Sequence, residues 1–220
     1  MGENGLIGRF NGQNLFKIAI FFLDYFFLMA APATAWEWAA HKKIVDEINI
    51  NLPSDVQKNL KPYLAVMKEG STYPDTIPND KINHGYPGSY PQTNTWLDKG
   101  KVAYEKGDYR EAAWCFGVAS HYITDTYSAP HCGWIKDKEK YWQIGNQLSP
   151  KKHDFHYSNL NNMLQYGNER GKESIASWNK TGDQGIVQQD LNRGVSAAYV
   201  AILYHAHPSM LQSPEYYEES

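Results

Sequence analysis

Residues 119–131 read ASHYITDTYSAPH, and the reading of this stretch decides the rest of the chain. His121 and Asp125 stand four positions apart in a segment of helical periodicity, so their side chains project from one helix face. An imidazole nitrogen and a carboxylate at that spacing can hold a divalent metal without bending the backbone. Pro130 lacks an N–H and clashes with the preceding turn, so it is expected to end the helix. His131 would then lie on the turn beyond, free to face a second metal. The plainer alternative is a helix with a capped carboxylate and two ordinary histidines. The pair alone does not choose between these readings.

Working outward, Gly107-Asp108 make a turn, and Asp108 is placed to cap a helix from Tyr109 to about Ser128. Its apolar residues Ala112, Cys115, Phe116, Ala119, Tyr122 and Ile123 recur at threes and fours, as in a deeply buried helix. Upstream, residues 36–50 (WEWAAHKKIVDEINI) have helical periodicity, with Trp38, His41, Val45 and Ile48 near one side. Leu52-Pro53 stop that helix, and Ser54-Asp55 open another that is interrupted at Pro62 and closed at Gly70. Residues 71–91 carry four prolines and no helical period, as in an irregular functional segment. Helix returns over Thr93–Lys106. Downstream, helical patterns cover Lys138–Ile144, Lys152–Tyr166, a weaker Lys172–Trp178, and Asp183–His205. No alternating run is long enough for a sheet. The fold class is therefore all-α, a single-domain bundle of seven or eight helices over residues 36–210, with an acidic tail at 211–220.

The chain has 220 residues, 42% hydrophobic and 20% charged, enough for one domain with a sizeable core. A net charge of −3 supplies no basic field to draw in duplex nucleic acid. Residues 1–35 read as a signal peptide or N-terminal anchor: Arg9 and Lys17, then the apolar run Ile18–Ala31, then the small-x-small site Ala33-Thr34-Ala35. Cleavage there gives an exported protein beginning at Trp36; without cleavage the segment anchors the protein to a membrane. The two cysteines, Cys115 and Cys132, either pair across the central segment or remain as buried thiols.

The donors gathered by this reading are Trp36, His41, Asp75, His84, His121, Asp125, His131 and the pair His153 and His156. Nitrogen and oxygen donors without thiolate suit Zn2+. In this order they resemble the zinc-dependent phospholipase C family, whose fold is shared with the fungal and plant single-strand-specific zinc nucleases. The family's His-x-x-x-Asp-x-x-x-x-x-His corresponds to His121, Asp125 and His131 at every spacing, including the proline before the last histidine. Its Tyr-Pro-Asp corresponds to Asp75 in GSTYPD, which is closer to the phospholipases, and His84 takes the next histidine's place. The five-residue gap from Trp36 to His41 is more like the nucleases. The family's closing His, followed four residues later by Glu or Asp, is altered: His153 is followed by Tyr157 and His156 by Leu160.

The resemblance implies two or three zinc ions. Trp36, through its freed amino group and carbonyl, and His41 would hold one; Asp75, His84 and His121 a second; His131 with His153 or His156 a third. Asp125 would bridge two of them. The implied chemistry is phosphodiester hydrolysis by hydroxide generated at the metals, with Asp75 as the catalytic carboxylate that orients water or acts as base. The expected substrate is a phospholipid headgroup ester, reached by transient contact with a membrane surface, and the protein is expected to be a monomer. Tyr73, Tyr86 and Tyr127 are the candidate substrate-binding aromatics, since a choline-type headgroup wants aromatic faces. The alternatives are a single-strand nuclease, or an exported metal-binding protein in which the altered last ligand has abolished turnover.

Overall fold

The structure, a computed structural model, describes residues 38–77, 80–156 and 158–207. Trp36, Tyr157, the segment 1–35 and the acidic tail lie outside the described residues. Among the described residues there are helices and irregular connections only. They form α1 (Trp38–Asn51), α2 (Ser54–Leu60), α3 (Leu64–Gly70), α4 (Ser89–Glu105), α5 (Tyr109–Tyr127), the single turn α6 (Ala129–Cys132), α7 (Lys138–Gln147), α8 (Leu160–Thr181) and α9 (Gln184–Ala206). Short 3-10 turns occur at Lys61–Tyr63, Pro74–Thr76 and Asp80–Asn83. The all-α expectation holds.

Most of the helices pack around α5. Its first turn is closed by Asp108, whose carboxylate accepts the Glu111 N–H at 3.1 Å and satisfies one of the orphan donors of the helix start. From Cys115 to Tyr127 every residue is buried, because α1, α3, α4, α8 and α9 all lie against it. α3 crosses especially closely. A Cβ on Gly117 would meet the Met67 carbonyl, and one on Gly70 would meet the Trp114 carbonyl, so the two backbones approach where only glycine fits. The aliphatic core then runs through Ile44, Val45, Ile48, Leu60, Met67, Leu97, Phe116, Ile123, Leu164 and Ile202, each essentially without solvent exposure. Fully burying one such side chain contributes roughly 1.5–3 kcal/mol.

Several expectations are corrected. α5 ends at Ser128, which is extended (φ −83°, ψ 123°), two residues before Pro130. Pro130 instead sits in the first turn of α6, where a missing N–H costs nothing, so His131 is carried on a helical turn and not on a loop. Lys152 to His156 is not helical. The backbone N–H groups of Lys151, Lys152 and His153 donate to Asn192, Glu47 and Ser196, which pins this segment along α9 and α1. α8 starts only at Leu160, where the Asn159 side chain accepts the Asn162 N–H at 2.9 Å, and runs unbroken to Thr181. Gly167 and Gly171 weaken the helical pattern in sequence, but they are where α8 lies against the Tyr127 ring and the Cys132 sulfur. Trp38, expected on the buried side of α1, is 48% exposed. Cys115 in the second turn of α5 and Cys132 at the end of α6 are free thiols: Cys115 donates to Glu111, Cys132 to the Thr126 carbonyl. Burial pushes both up to about 12, so they are inert thiols.

Candidate metal centre

The C-terminal half of α5 delivers His121 and Asp125 inward, one turn apart, with no exposed surface on either. α1 supplies His41, the irregular segment after α3 supplies Asp75 and His84, and α6 supplies His131. Asp125 is the hub. Its Oδ2 lies 2.7 Å from His84 Nδ1, 3.1 Å from His121 Nε2 and 3.5 Å from His131 Nε2. Its Oδ1 faces a different ring, 3.5 Å from His41 Nε2. The two oxygens of one carboxylate are thus divided between separate imidazoles.

The surrounding rings are held in place. His121 Nδ1 donates to the Ser71 carbonyl at 2.8 Å, which leaves Nε2 as the nitrogen turned to the cluster. His41 stacks on His121 at 4.1 Å between ring centroids, and His84 stacks on His131 at 5.5 Å. The turn bearing His84 is pressed against α6, because a Cβ on Gly85 would collide with the His131 carbonyl. Asp75 completes the group, with Oδ1 3.7 Å from His121 Nε2.

What the cluster leaves unmade is as informative as what it makes. His41 Nε2, Asp75 Oδ2, Asp125 Oδ1 and His131 Nε2 are buried without any hydrogen-bond partner. Such atoms normally find partners, and concentrating four of them in one place implies a species that is attracted to lone pairs. Three overlapping sets have donor atoms all within 4.8 Å of one another: His41, His121 and Asp125; Asp75, His84 and His121; His84, Asp125 and His131. Imidazole and carboxylate donors without a thiol fit Zn2+.

The electrostatics agree. Burial disfavours charge on Asp125, yet the imidazoles of His131, His121 and His41 hold its carboxyl well below the usual range. Burial likewise opposes charge on His121, but Asp125, with Asp75 and the Ser71 carbonyl, raises it to about 9. Burial pushes Asp75 up, His41 well down and His131 down to about 4. Two carboxylates therefore draw positive charge inward while two of the histidines stay neutral and able to ligate.

The remaining expected residues fall elsewhere. His153 and His156 are exposed and belong to none of the donor sets. His153 Nε2 lies 3.2 Å from the Asn192 amide on α9. His131 meets His84 and Asp125 instead of either of them. Tyr127 is fully buried, its hydroxyl donating to the Met163 carbonyl at 2.8 Å, so its ring is core. Tyr73 is half-buried and packs against Trp96 and Trp114, and the Tyr86 hydroxyl donates to Asn161. The sequence reading gave no role to Asp80, a buried carboxylate 3.7 Å from His84 Nε2; it lies in an irregular segment where no period points to it.

Comparison with known proteins follows the same lines. The zinc dependent phospholipase C family matches residues 40–193. Two solved structures are similar in fold. Alpha-toxin from Clostridium absonum is 15% identical, with a TM-score of 0.59 over 76% of this chain and 64% of that one. Clostridium perfringens alpha-toxin from an avian strain is 14% identical, with a TM-score of 0.56 over 79% of this chain and 64% of that one. This chain therefore spans less than two thirds of the length of either toxin. No curated protein matches it significantly in sequence. With its donor cluster on α1, α5, α6 and the segment between α3 and α4, the chain belongs to the zinc dependent phospholipase C family.

Proposed function

We propose that this protein is a zinc-dependent phosphodiester hydrolase of phospholipase C type, releasing diacylglycerol and a phosphorylated headgroup. The observation that carries the reading is Asp125: a buried carboxylate whose two oxygens face different imidazoles, amid four unpartnered donor atoms. His41, Asp75, His84, His121, Asp125 and His131 would hold zinc. Bound zinc would supply Lewis-acid charge that acidifies water near neutral pH and draws electron density from the phosphoryl oxygens.

The protein's own groups do the rest. Asp75 keeps one oxygen without a partner, and burial raises its affinity for a proton. It is the group that orients the attacking water and takes its proton. The half-buried rings of Tyr73 and Tyr86 supply aromatic faces for a headgroup. Residues 1–35 would direct export, or would anchor the protein to a membrane if they are not removed. Residues 36–210 form the catalytic domain. No helix among the described residues is long and apolar enough to cross a membrane.

The test is hydrolysis by purified protein, with zinc and after chelation, of phosphatidylcholine and of single-stranded RNA. Zinc-dependent diacylglycerol release is expected. RNA cleavage alone would move the protein to the nuclease reading, and neither product would leave an inactive metal-binding protein.

A further inference from the structure

Behind His84, on the side away from Asp125, lies a third buried carboxylate. Asp80 is 8% exposed, and its Oδ2 stands 3.7 Å from His84 Nε2. It is not loosely placed. The Tyr122 hydroxyl donates to Oδ2 at 2.6 Å, and the Asn83 amide donates to Oδ1. Tyr122 is the α5 residue directly after His121, so the helix that supplies His121 and Asp125 also fixes the carboxylate behind His84.

His84 Nδ1 is the nitrogen turned to the cluster, 2.7 Å from Asp125 Oδ2 and 3.1 Å from His121 Nε2. It is therefore the nitrogen placed to ligate. A ligating nitrogen has no proton. For Nδ1 to ligate, the ring must carry its proton on Nε2. An N–H there needs an acceptor, since the ring is buried. Asp80 Oδ2 is the carboxylate oxygen on that side, about 0.8 Å beyond ordinary hydrogen-bond length.

We propose that Asp80 is a positioning residue for the metal centre, holding His84 in the Nε2–H tautomer so that Nδ1 can ligate. Tyr122 keeps Asp80 in place for this. The inference rests on the metal-site reading above and is independent of the substrate.

The test compares Zn2+ affinity of the full chain with that of Asp80→Ala, Asp80→Asn and Tyr122→Phe, by competition with a chromophoric chelator. It is paired with 15N NMR of the His84 ring in the zinc-loaded wild type. Asp80→Ala is expected to weaken zinc binding about 10- to 100-fold. Asp80→Asn, whose amide oxygen still accepts, falls between wild type and Asp80→Ala, and Tyr122→Phe loses least. The ring is expected to show Nε2–H with Nδ1 bound to zinc. Wild-type affinity in folded Asp80→Ala, or a zinc-loaded ring protonated on Nδ1, would overturn the proposal. If Asp80→Ala does not fold, Asp80→Asn and the ring tautomer decide. A wild type that binds no zinc would overturn both the metal reading and this inference. Zinc binding without phosphatidylcholine hydrolysis would overturn the assigned activity alone.

Discussion

Asp125 on α5 and Asp190 on α9 are both buried carboxylates on long helices, and they are surrounded in opposite ways. Asp190 is met by donors that complete it: Ser174 Oγ at 2.6 Å, the Tyr141 hydroxyl at 2.6 Å, and Arg193 at 3.5 Å. Asp125 is met by imidazoles, and its Oδ1 has no hydrogen bond at all. Burial raises Asp190 to about 7, whereas the histidines around Asp125 overcome burial and keep that group ionised. A carboxylate that serves structure is satisfied by its neighbours. A carboxylate that serves a metal is left open, at an energetic cost that only a cation recovers.

Four substitutions would break or sharpen this contrast. The largest effect is expected from Asp125→Ala, which removes the hub of all the imidazole contacts. Zinc affinity should fall by more than about a hundredfold, since a ligand counts for more than an outer-shell partner, and hydrolysis should be lost with it. Zinc content and turnover in that variant check this directly. Tyr141→Phe comes next and should act on stability alone. It leaves Asp190 one donor short, for a loss of about 1–3 kcal/mol in denaturant unfolding, with zinc content unchanged.

Asp190→Asn should change the pH dependence of stability more than stability itself. A carboxyl raised by burial favours folding while it is protonated. Its contribution is full below the unfolded value near 3.8 and is lost as pH rises to about 7. The neutral amide removes that loss, so unfolding curves measured between pH 4 and 7 should show a flatter slope in the variant. The smallest effect is expected from His153→Ala. That side chain is exposed and tied to Asn192, so zinc content should hold and stability should change by no more than about 0.5 kcal/mol.

The legible part of the fold lay in periodicity. The cap at Asp108 and the apolar threes and fours of α5 marked the central helix almost to its last residue, and no strand pattern competed. What misled were residues whose role is tertiary. Trp38 looks like a core residue of α1 until it is seen 48% exposed. Pro130 looks like a stop until it is seen starting α6. In the site, the four-residue spacing of His121 and Asp125 transferred directly to geometry, because a helix fixes which side chains share a face. Asp75 and His84 come from an irregular segment, where the family order of motifs and not any period pointed to them. Asp80 was hidden for the same reason, as was the commitment of Tyr127 to the core, since burial depends on what packs from elsewhere in the chain. The family order points to His153 or His156 for the last ligand, whereas the extended chain there is pinned to α9 and α1.

The central claim is that the opening around Asp125 is a metal centre. It is tested most directly by zinc analysis of the purified full chain beside Asp125→Ala, after gel filtration in metal-free buffer. Zinc retained by the wild type and absent from the variant is the predicted result. No zinc in the wild type, or equal zinc in both proteins, would contradict it.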